Sequence, residues 1–309
     1  MKILLFGATG YVGTKVKDLL KNDHQVFSIS RTSIADIFEI RHHNHEVPKL
    51  VLSSSISEML VNTLGLTFDM AINFAACVDK DNSLDSIERN LEANVQFVAK
   101  TALLCKVFNV QHYLNISTYS THVNRNFYSP QTFYAASKKA GEDILEYFNF
   151  SGDFKVTHFH LYDVYGPNQP HNRFLKQLIK SLLLSEDFHM SQGEQEVNFI
   201  HVDDVAKAIK YFLDTNIELE NESRSSAHYS IFGNEIFKLA DIPHLVSSII
   251  REEFNGQIIF DLPYRNNEIM TFSPIYPRLP GWEPSISLKL GLGAVISEIE
   301  NQSHSQELK

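Results

Sequence analysis

Short apolar runs alternate with amphipathic stretches along the chain, and each change of pattern predicts a change of element. Residues 2–6 are apolar after the first position, which predicts a buried strand. A glycine-rich turn and a helix to about residue 22 follow, and residues 24–30 predict a second strand. A strand, glycine turn, helix and strand within about thirty residues is the first half of an α/β doubly wound parallel sheet.

The same patterns predict further elements, separated by polar segments. Residues 32–48 are polar and predict a solvated loop, and the serines at 53–55 favour the start of a helix. The chain beyond residue 166 has shorter elements and more polar loops. Further strands are predicted at 49–52, 69–74, 112–116, 155–162 and 196–201, and helices at 84–108, from Tyr134 to about 148, at 172–184, from Asp203, and from about 287.

The first strand ends in the spacing Gly7-x-x-Gly10-x-x-Gly13. Glycine permits the tight turn at the first position, lets backbone approach a pyrophosphate at the second, and allows close helix–strand packing at the third. The position at the first strand–helix junction favours a dinucleotide site over a plain turn. Ala75, after a later strand, leaves room for a cofactor, although core packing also explains it. The cofactor contacts predicted here are Gly7, Thr9, Gly10, Tyr11, Val12, Gly13 and Ala75.

The end of the second strand bears on which dinucleotide binds. NAD sites usually place a carboxylate there for the ribose hydroxyl. This chain has Ser30 and Arg31 instead, a small donor beside a cation, which favours NADP(H). The alternative is an arginine that faces solvent.

A tyrosine and a lysine four positions apart, Tyr134 and Lys138, predict an acid–base pair on one face of a helix. The ammonium favours the phenolate, so we expect the pKa of the tyrosine to fall toward the working pH. An ordinary helix surface gives the same spacing by chance. Thr118 ends an earlier strand, where its hydroxyl either faces the ligand crevice or caps the next turn.

Composition narrows the classes of partner. The chain has 309 residues, 43% hydrophobic and 21% charged, with a formal net charge of −10, which argues against nucleic acid or an anionic membrane. Two cysteines predict no disulfide framework and fit a cytoplasmic protein, and no stretch approaches the length of a membrane span. His42, His43 and His45 form a short run, but no second cluster closes a metal site, so none is predicted.

Taken in order, these motifs and several later ones give a chain that resembles the extended short-chain dehydrogenase/reductases. These are NAD(P)-dependent sugar-nucleotide epimerases, dehydratases and reductases. The resemblance covers almost the whole chain. It rests on the glycine turn, Ala75-Ala76, Ser117-Thr118, Tyr134-x-x-x-Lys138, Val164-Tyr165-Gly166-Pro167, Phe199-Ile200-His201 and Gly281-Trp282-Glu283-Pro284.

The resemblance implies a role for each matching residue. Tyr134 exchanges a proton with the substrate oxygen, Thr118 hydrogen-bonds that oxygen, and Lys138 holds the nicotinamide ribose. Asn172 and Arg265 correspond to residues that contact the sugar-nucleotide diphosphate, although an exposed polar residue is an equal alternative for both. Asp203 and Asp204, at a helix start, are interpreted as capping residues.

The resemblance also implies a division of the chain. We expect residues 1–165 with about 200–235 to form an NADP-binding Rossmann domain. Residues 166–199 with about 236–309 would form a smaller C-terminal substrate-binding lobe for the sugar nucleotide. Many relatives pair two long helices between subunits, so a homodimer is expected.

Departures from the family pattern bear on the reaction. Dehydratases carry Asp-Glu directly after the threonine, whereas this chain has Tyr119-Ser120, and Asp163 stands where asparagine is common. The missing Asp-Glu pair, together with Arg31, favours NADPH-dependent reduction of the C4 keto group of an NDP-4-keto-6-deoxyhexose, and the loops around Arg265 and Asn172 are similar to those of CDP-abequose-synthase-like reductases. A sugar-nucleotide 4-epimerase and a non-catalytic NADP-binding regulator are the alternatives.

Overall fold

A parallel sheet with helices on both faces forms the centre of the computed structural model. The structure describes residues 1–31, 37–43, 50–53, 67–123, 127–215, 225–250 and 255–307, without side chains for 30–31, 37–42, 50–53 and 303–307. Its strands are β1 Lys2–Phe6, β2 Gln25–Arg31, β3 Ile37–His42, β4 Leu50–Ser53, β5 Met70–Asn73, β6 His112–Thr118, β7 Lys155–Leu161, β8 Asp163–Tyr165, β9 Phe188–His189, β10 Glu196–Val197, β11 Phe199–His201, β12 Ala227–Ile231, β13 Phe237–Lys238 and β14 Ile258–Ile259.

The large sheet has the strand order β12-β7-β6-β5-β1-β2-β3-β4. From β12 to β2 every neighbouring pair is parallel, and this confirms the predicted Rossmann sheet. The two outer strands, β3 and β4, are antiparallel to their neighbours. Residues 37–42 were therefore wrongly predicted as loop, because their mixed apolar and charged sequence shows no clean strand period. The helix expected after residue 53 lies outside the described residues.

Helices cover both faces of this sheet and continue beyond it. They are α1 Tyr11–Leu20, α2 Leu84–Leu91, α3 Phe97–Val107, α4 Phe133–Phe150, α5 Phe174–Leu183, α6 Val202–Thr215, α7 Ile242–Ser247 and α8 Leu288–Glu307. A π-helical turn, Glu92–Gln96, joins α2 to α3 without a break in the helix. The predicted continuous helix over 84–108 is therefore correct in extent but contains one wide turn.

Side chains of β1 point alternately to two apolar clusters, which explains its unbroken apolar run. Ile3 and Leu5 join the cluster beneath α1 and α6, and Leu4 and Phe6 join the one beneath α3 and α4. All four side chains are fully buried. The strand therefore fixes the glycine turn that follows it at the carboxyl edge of the sheet.

A third apolar cluster holds the later elements together. It joins α5, α7 and α8 through residues such as Leu178, Ile242 and Leu292. The predicted strand at 196–201 is two short strands: β10 pairs with β13 and β11 with β8. The domain boundaries expected from the sequence stay a prediction. No helix among the described residues is both long and apolar enough to span a membrane.

Candidate active site

The glycine turn brings backbone segments into contact at the carboxyl ends of β1 and β5. Gly7 has φ +76°, and a Cβ there would lie 2.6 Å from the backbone nitrogen of Ala75. A Cβ on Gly13 would lie 2.3 Å from the carbonyl oxygen of Gly7. The first and third glycines thus do what the sequence predicted, and Ala75 lies directly beside the turn.

The start of α1 suits a dinucleotide pyrophosphate. Gly10, which has no side chain, is the N-cap, so the cap residue itself supplies no side-chain oxygen to the first N–H groups of α1. Thr9 and Gly10 are exposed, and Tyr11 and Val12 are partly buried. The Tyr11 hydroxyl is buried without a hydrogen-bond partner among the described residues. These features fit the predicted cofactor site.

Ser30 and Arg31 are the last residues of β2, beside the carboxyl end of β1. Their backbone therefore reaches the edge of the sheet where the predicted ribose phosphate would bind. Their side chains lie outside the described part of the structure. The prediction of NADP therefore rests on the sequence alone.

Thr118, Tyr134 and Lys138 come together as predicted. Thr118 ends β6, and Tyr134 lies in the first turn of α4, whose N-cap Thr132 accepts a hydrogen bond from the Ala135 N–H. The Thr118 side chain lies close enough to the Tyr134 phenol to lower its pKa, and its hydroxyl lies 2.9 Å from that of Ser120. Lys138 lies one turn further along α4 and is only 3% exposed. Two hydroxyls and one ammonium therefore share a small region at the end of β6.

Burial is the main influence on the pKa values of Tyr134 and Lys138, and it reverses the prediction for Tyr134. Burial raises the pKa of Tyr134 to about 12, against the lowering effects of Arg173 and of the Thr118 side chain. The expected fall of the tyrosine pKa is thus wrong, because loss of hydration outweighs the nearby positive charge. Burial also lowers the pKa of Lys138 to about 8, while Glu142 raises it.

The π-helical turn holds α4 against the strand ends. Asn94 is fully buried, accepts a hydrogen bond from the Cys77 N–H at 3.0 Å, and donates to the Cys77 carbonyl at 3.0 Å and the Ser137 hydroxyl at 2.9 Å. Ser137 directly precedes Lys138. The sequence showed an asparagine inside a helix but gave no sign of these contacts, since they join segments far apart in the chain.

A cavity of about 630 Å³ opens beside this group, and Asn172 and Arg265, the two residues predicted to contact the substrate, both line it. Tyr119 and Thr121 also line it, whereas Thr118 and Tyr134 are not among its lining residues. It therefore reaches the residues directly after Thr118.

Sequence reasoning missed two cations of the same cavity, Lys80 and Arg173. Burial lowers the pKa of Lys80, Arg173 and Arg265 lower it further, and Asp163 and Glu268 raise it. These opposing effects place three cations and two carboxylates near one another. Arg173 directly follows the predicted Asn172, and this adjacency was the available signal.

Two departures from the family pattern form a pair. The Tyr119 hydroxyl donates a hydrogen bond of 3.0 Å to the Asp163 carboxylate, and the Tyr119 ring stacks on Tyr162 with 4.5 Å between centroids. Burial raises the pKa of Tyr119 well above its usual value, and Asp163 raises it further. The unusual tyrosine therefore has a matching acceptor in the unusual aspartate.

Asp203 and Asp204 differ in role, although the sequence interpreted both as caps. Asp203 is half-exposed and pairs with Lys15 at 3.1 Å. Asp204 is buried and accepts hydrogen bonds from the Ser285 N–H at 3.0 Å and the Ile286 N–H at 2.8 Å. Asp204 thus ties α6 to the segment before α8, which helix-dipole reasoning alone could not reveal.

Comparisons with known proteins agree with this geometry. CDP-abequose synthase of Yersinia pseudotuberculosis is 24% identical over 276 residues, which cover 87% of this chain and 91% of the relative. UDP-glucuronate 4-epimerase 2 of Arabidopsis thaliana is 22% identical in an alignment 331 positions long, which covers 94% of this chain and 74% of the relative. Both are therefore distant relatives that align with most of the chain.

Solved structures show the same fold. The structure of MoeE5 in complex with UDP-glucose and NAD matches with a TM-score of 0.75 at 18% identity, covering 98% of this chain and all of the other. UDP-glucuronic acid 4-epimerase from Bacillus cereus, in complex with UDP-glucuronic acid and NAD, matches with a TM-score of 0.73 at 18% identity, with 98% and 100% coverage. The resemblance to extended short-chain dehydrogenase/reductases is confirmed. Since the model of the NAD dependent epimerase/dehydratase family matches residues 3–229, the chain belongs to that family.

Proposed function

We propose that this protein reduces the C4 keto group of an NDP-4-keto-6-deoxyhexose with NADPH. The observation that carries the proposal is the placement of Thr118 beside Tyr134, with Lys138 one helical turn away. Reduction of a carbonyl needs a proton donor at the oxygen that gains charge. A Tyr134 pKa of about 12 keeps the phenol protonated at neutral pH, the form that a reductase needs.

Each residue of the group has a defined task. When bound, the nicotinamide supplies the hydride. Tyr134 donates its proton to the C4 oxygen, and the Thr118 hydroxyl donates a hydrogen bond to the same oxygen as negative charge develops there. Lys138, protonated below about pH 8, binds the nicotinamide ribose. The N–H groups at the start of α1 bind the pyrophosphate.

The cavity supports an anionic substrate. Lys80, Arg173 and Arg265 line it beside five carboxylates, and these three cations are the groups that would bind a nucleotide diphosphate. Its volume of about 630 Å³ is within the range of small-molecule sites. The name of the relative CDP-abequose synthase favours a cytidine nucleotide among the candidates.

Elimination of water is disfavoured by the same region. Tyr119 and Ser120 occupy the two positions after Thr118, and neither is a carboxylate. The Tyr119 hydroxyl is held by Asp163, and the Ser120 hydroxyl lies 2.9 Å from that of Thr118. Both side chains support the catalytic strand end and supply no acid–base pair for dehydration.

A 4-epimerase that retains NAD is the second candidate. The UDP-glucuronate 4-epimerases among the relatives and the NAD complexes among the solved structures favour it. Cofactor behaviour separates the two reactions, because an epimerase recycles its cofactor within each turnover and a reductase consumes it.

A cytoplasmic homodimer stays part of the proposal. Large exposed apolar side chains on α2, α3 and α4 support the dimer, namely Leu84, Leu103, Tyr147 and Phe150.

The test is NADPH oxidation with CDP-, dTDP-, GDP- and UDP-linked 4-keto-6-deoxyhexoses. We expect one NADP⁺ for each alcohol formed with at least one of them, and protein free of cofactor after gel filtration. Retained NAD with interconversion of UDP-sugars, and no NADPH consumption, would establish the epimerase instead.

The NADP preference has its own test in Arg31→Ala. Loss of one charge-assisted contact to the 2′-phosphate should raise the KM for NADPH about tenfold to a hundredfold and leave the KM for NADH unchanged. Lys21→Ala, an exposed cation that pairs with Asp18, is the control. An unchanged ratio of the two KM values would show that Arg31 faces solvent.

A further inference from the structure

A cluster of three polar side chains, two buried and one partly buried, lies between α4 and the sheet, near Thr118 and Lys138. Glu142 comes from α4, His160 from β7 and His228 from β12, and one ligand atom of each lies within 4.8 Å of the others. We propose that these three side chains bind a divalent transition-metal ion of the Zn²⁺ class. The sequence predicted no metal site, because its ligands come from three distant segments with no motif spacing.

Hydrogen bonds on the outer side of each imidazole leave the inner nitrogens facing each other. His160 Nδ1 lies 3.3 Å from the Thr118 carbonyl oxygen. A carbonyl only accepts, so Nδ1 carries the proton of the neutral ring and Nε2 carries the lone pair. His228 Nε2 lies 3.2 Å from the Ser226 hydroxyl, and this leaves His228 Nδ1 on the inner side.

The two inner nitrogens, His160 Nε2 and His228 Nδ1, are 3.0 Å apart. Two bare lone pairs at that distance repel, so either a proton or a cation must lie between them. Zn–N bonds of about 2.0–2.1 Å at tetrahedral angles place two ligand nitrogens about 3.3 Å apart. A metal ion can therefore replace the proton with only a small displacement of the rings.

Glu142 supplies the third ligand atom. It is 2% exposed, and its Oε1 accepts a hydrogen bond from the Ser117 hydroxyl. Its Oε2 is buried and has no hydrogen-bond partner among the described residues. A buried carboxylate oxygen without a partner is costly, and a cation would satisfy it. Glu142 Oε1 also lies 3.9 Å from His160 Nδ1, the nitrogen that faces the Thr118 carbonyl. In the proposed site Oε2 is therefore the oxygen left for the ion, and the outer hydrogen bonds orient the three ligands.

Tyr276 lies beside both the proposed metal site and the cavity. Its ring stacks on His160 at 4.3 Å and on His228 at 4.5 Å between centroids. His160 and Tyr276 both line the 630 Å³ cavity, which gives an ion a route inward. Two imidazoles and one carboxylate leave a fourth position for water, a ligand set common for Zn²⁺.

The ion would fix the two elements that carry the catalytic group. Glu142 lies one turn after Lys138 on α4, and His160 is hydrogen-bonded to the Thr118 carbonyl. Binding would draw α4 and the end of β6 together and act as a positioning device. It requires no redox step and does not depend on which reaction the active site performs.

Full-length protein treated with a chelator and then titrated with Zn²⁺ tests the site. We expect one ion per chain by calorimetry, a tetrahedral visible spectrum with Co²⁺, and two imidazole nitrogens per Zn²⁺ by X-ray absorption. These three measurements use the wild-type chain, so they stand even if a variant fails to fold. Absence of stoichiometric Zn²⁺, or an absorption spectrum without two imidazoles, overturns the proposal and leaves a proton between the rings.

Matched variants locate the ion. His228→Gln and Glu142→Gln should weaken Zn²⁺ binding at least tenfold. His112→Gln is the control, because His112 is also buried and bonds Thr157 at 2.7 Å, but its ring packs against Phe212 at the other face of the sheet. Equal Zn²⁺ affinity in His228→Gln and the wild type overturns the assignment.

Discussion

Burial controls the chemistry of single residues in this site more than neighbouring charges do. The pKa of Tyr134 rises to about 12 and that of Lys138 falls to about 8, and in both cases loss of hydration is the main cause. Both shifts favour the uncharged form of the group. A protonated phenol beside a lysine that titrates near neutrality suits proton donation to a carbonyl oxygen.

Replacement of the proposed proton donor gives the first prediction. Tyr134→Phe should lower kcat for NADPH oxidation about 10²–10⁴-fold, the usual contribution of a general acid. NADPH affinity, measured by fluorescence titration, should change little, because the ring is kept. Tyr147→Phe, on an exposed part of the same helix, should behave as wild type. Turnover retained in Tyr134→Phe would rule out the donor role.

The lysine gives a prediction about pH. Because its pKa is lowered to about 8, Lys138 is charged below that pH and loses its charge above it. Activity should therefore fall as pH rises through about 8. The folded protein binds this proton less tightly than the unfolded chain, so this group's contribution to the free energy of unfolding should rise between about pH 8 and the ordinary lysine value of 10.5.

Two profiles of the wild type check this prediction, kcat against pH and urea unfolding against pH. Lys138→Met should lose both inflections near pH 8. Lys139→Met, which removes the neighbouring half-exposed ammonium that pairs with Asp143, should keep them. An activity inflection that persists in Lys138→Met would assign it to another group.

At the scale of elements, close packing of α4 on the π-helical turn sets the position of the helix that carries Tyr134 and Lys138. Gly141 faces this turn, and a Cβ there would lie 2.4 Å from the Asn94 carbonyl oxygen. Asn94 in turn bonds Cys77 after β5 and Ser137 beside Lys138. The wide turn therefore links the segment after β5 to the helix that carries Tyr134.

A pair of glycine substitutions tests that packing. Gly141→Ala should lower the free energy of unfolding by about 1–3 kcal/mol, since backbone must move to admit the methyl group. Gly293→Ala, within α8, meets nothing within 4 Å and should raise it by about 0.5–1 kcal/mol through helix propensity. Urea unfolding measures both. An unchanged midpoint in Gly141→Ala would mean that α4 can move without loss.

Local signals explain which elements the sequence could predict. The glycine turn, the apolar run of β1 and the Tyr134–Lys138 spacing each lie within a few residues, so the pattern is visible in the chain. The π-helical turn depends on contacts of Asn94 with residues 17 and 43 positions away. Lys80 and Arg173 line the same cavity only because the fold brings two distant segments of the chain together. Such features follow from tertiary packing and leave no local pattern.

At the scale of the whole molecule, the charge is uneven. The chain carries a formal net charge of −10, yet Lys80, Arg173 and Arg265 line the cavity. Five carboxylates line it as well, so the cavity is not cationic as a whole, but its three cations can bind a small anion locally while the overall charge repels polyanions. This distribution fits a nucleotide sugar better than a nucleic acid.

The connection between α6 and the last helix gives the final prediction. Asp204 accepts hydrogen bonds from the N–H groups of Ser285 and Ile286, just before α8, and its neighbour Asp203 forms an exposed pair with Lys15. Both aspartates lie in the first turn of α6, so they share any interaction with its dipole. They differ in whether they reach another element, and comparison of the two therefore isolates that contact.

Asp204→Ala should lower the free energy of unfolding by about 2–4 kcal/mol, because two backbone donors lose a charged acceptor. Asp203→Ala should lower it by less than about 1 kcal/mol, as for an exposed ion pair. Amide hydrogen exchange adds a local measurement: protection of residues 285–296 should fall in Asp204→Ala and persist in Asp203→Ala. Equal losses in the two variants would mean that both act through the helix dipole, and that the buried carboxylate does not hold the end of the chain to the sheet.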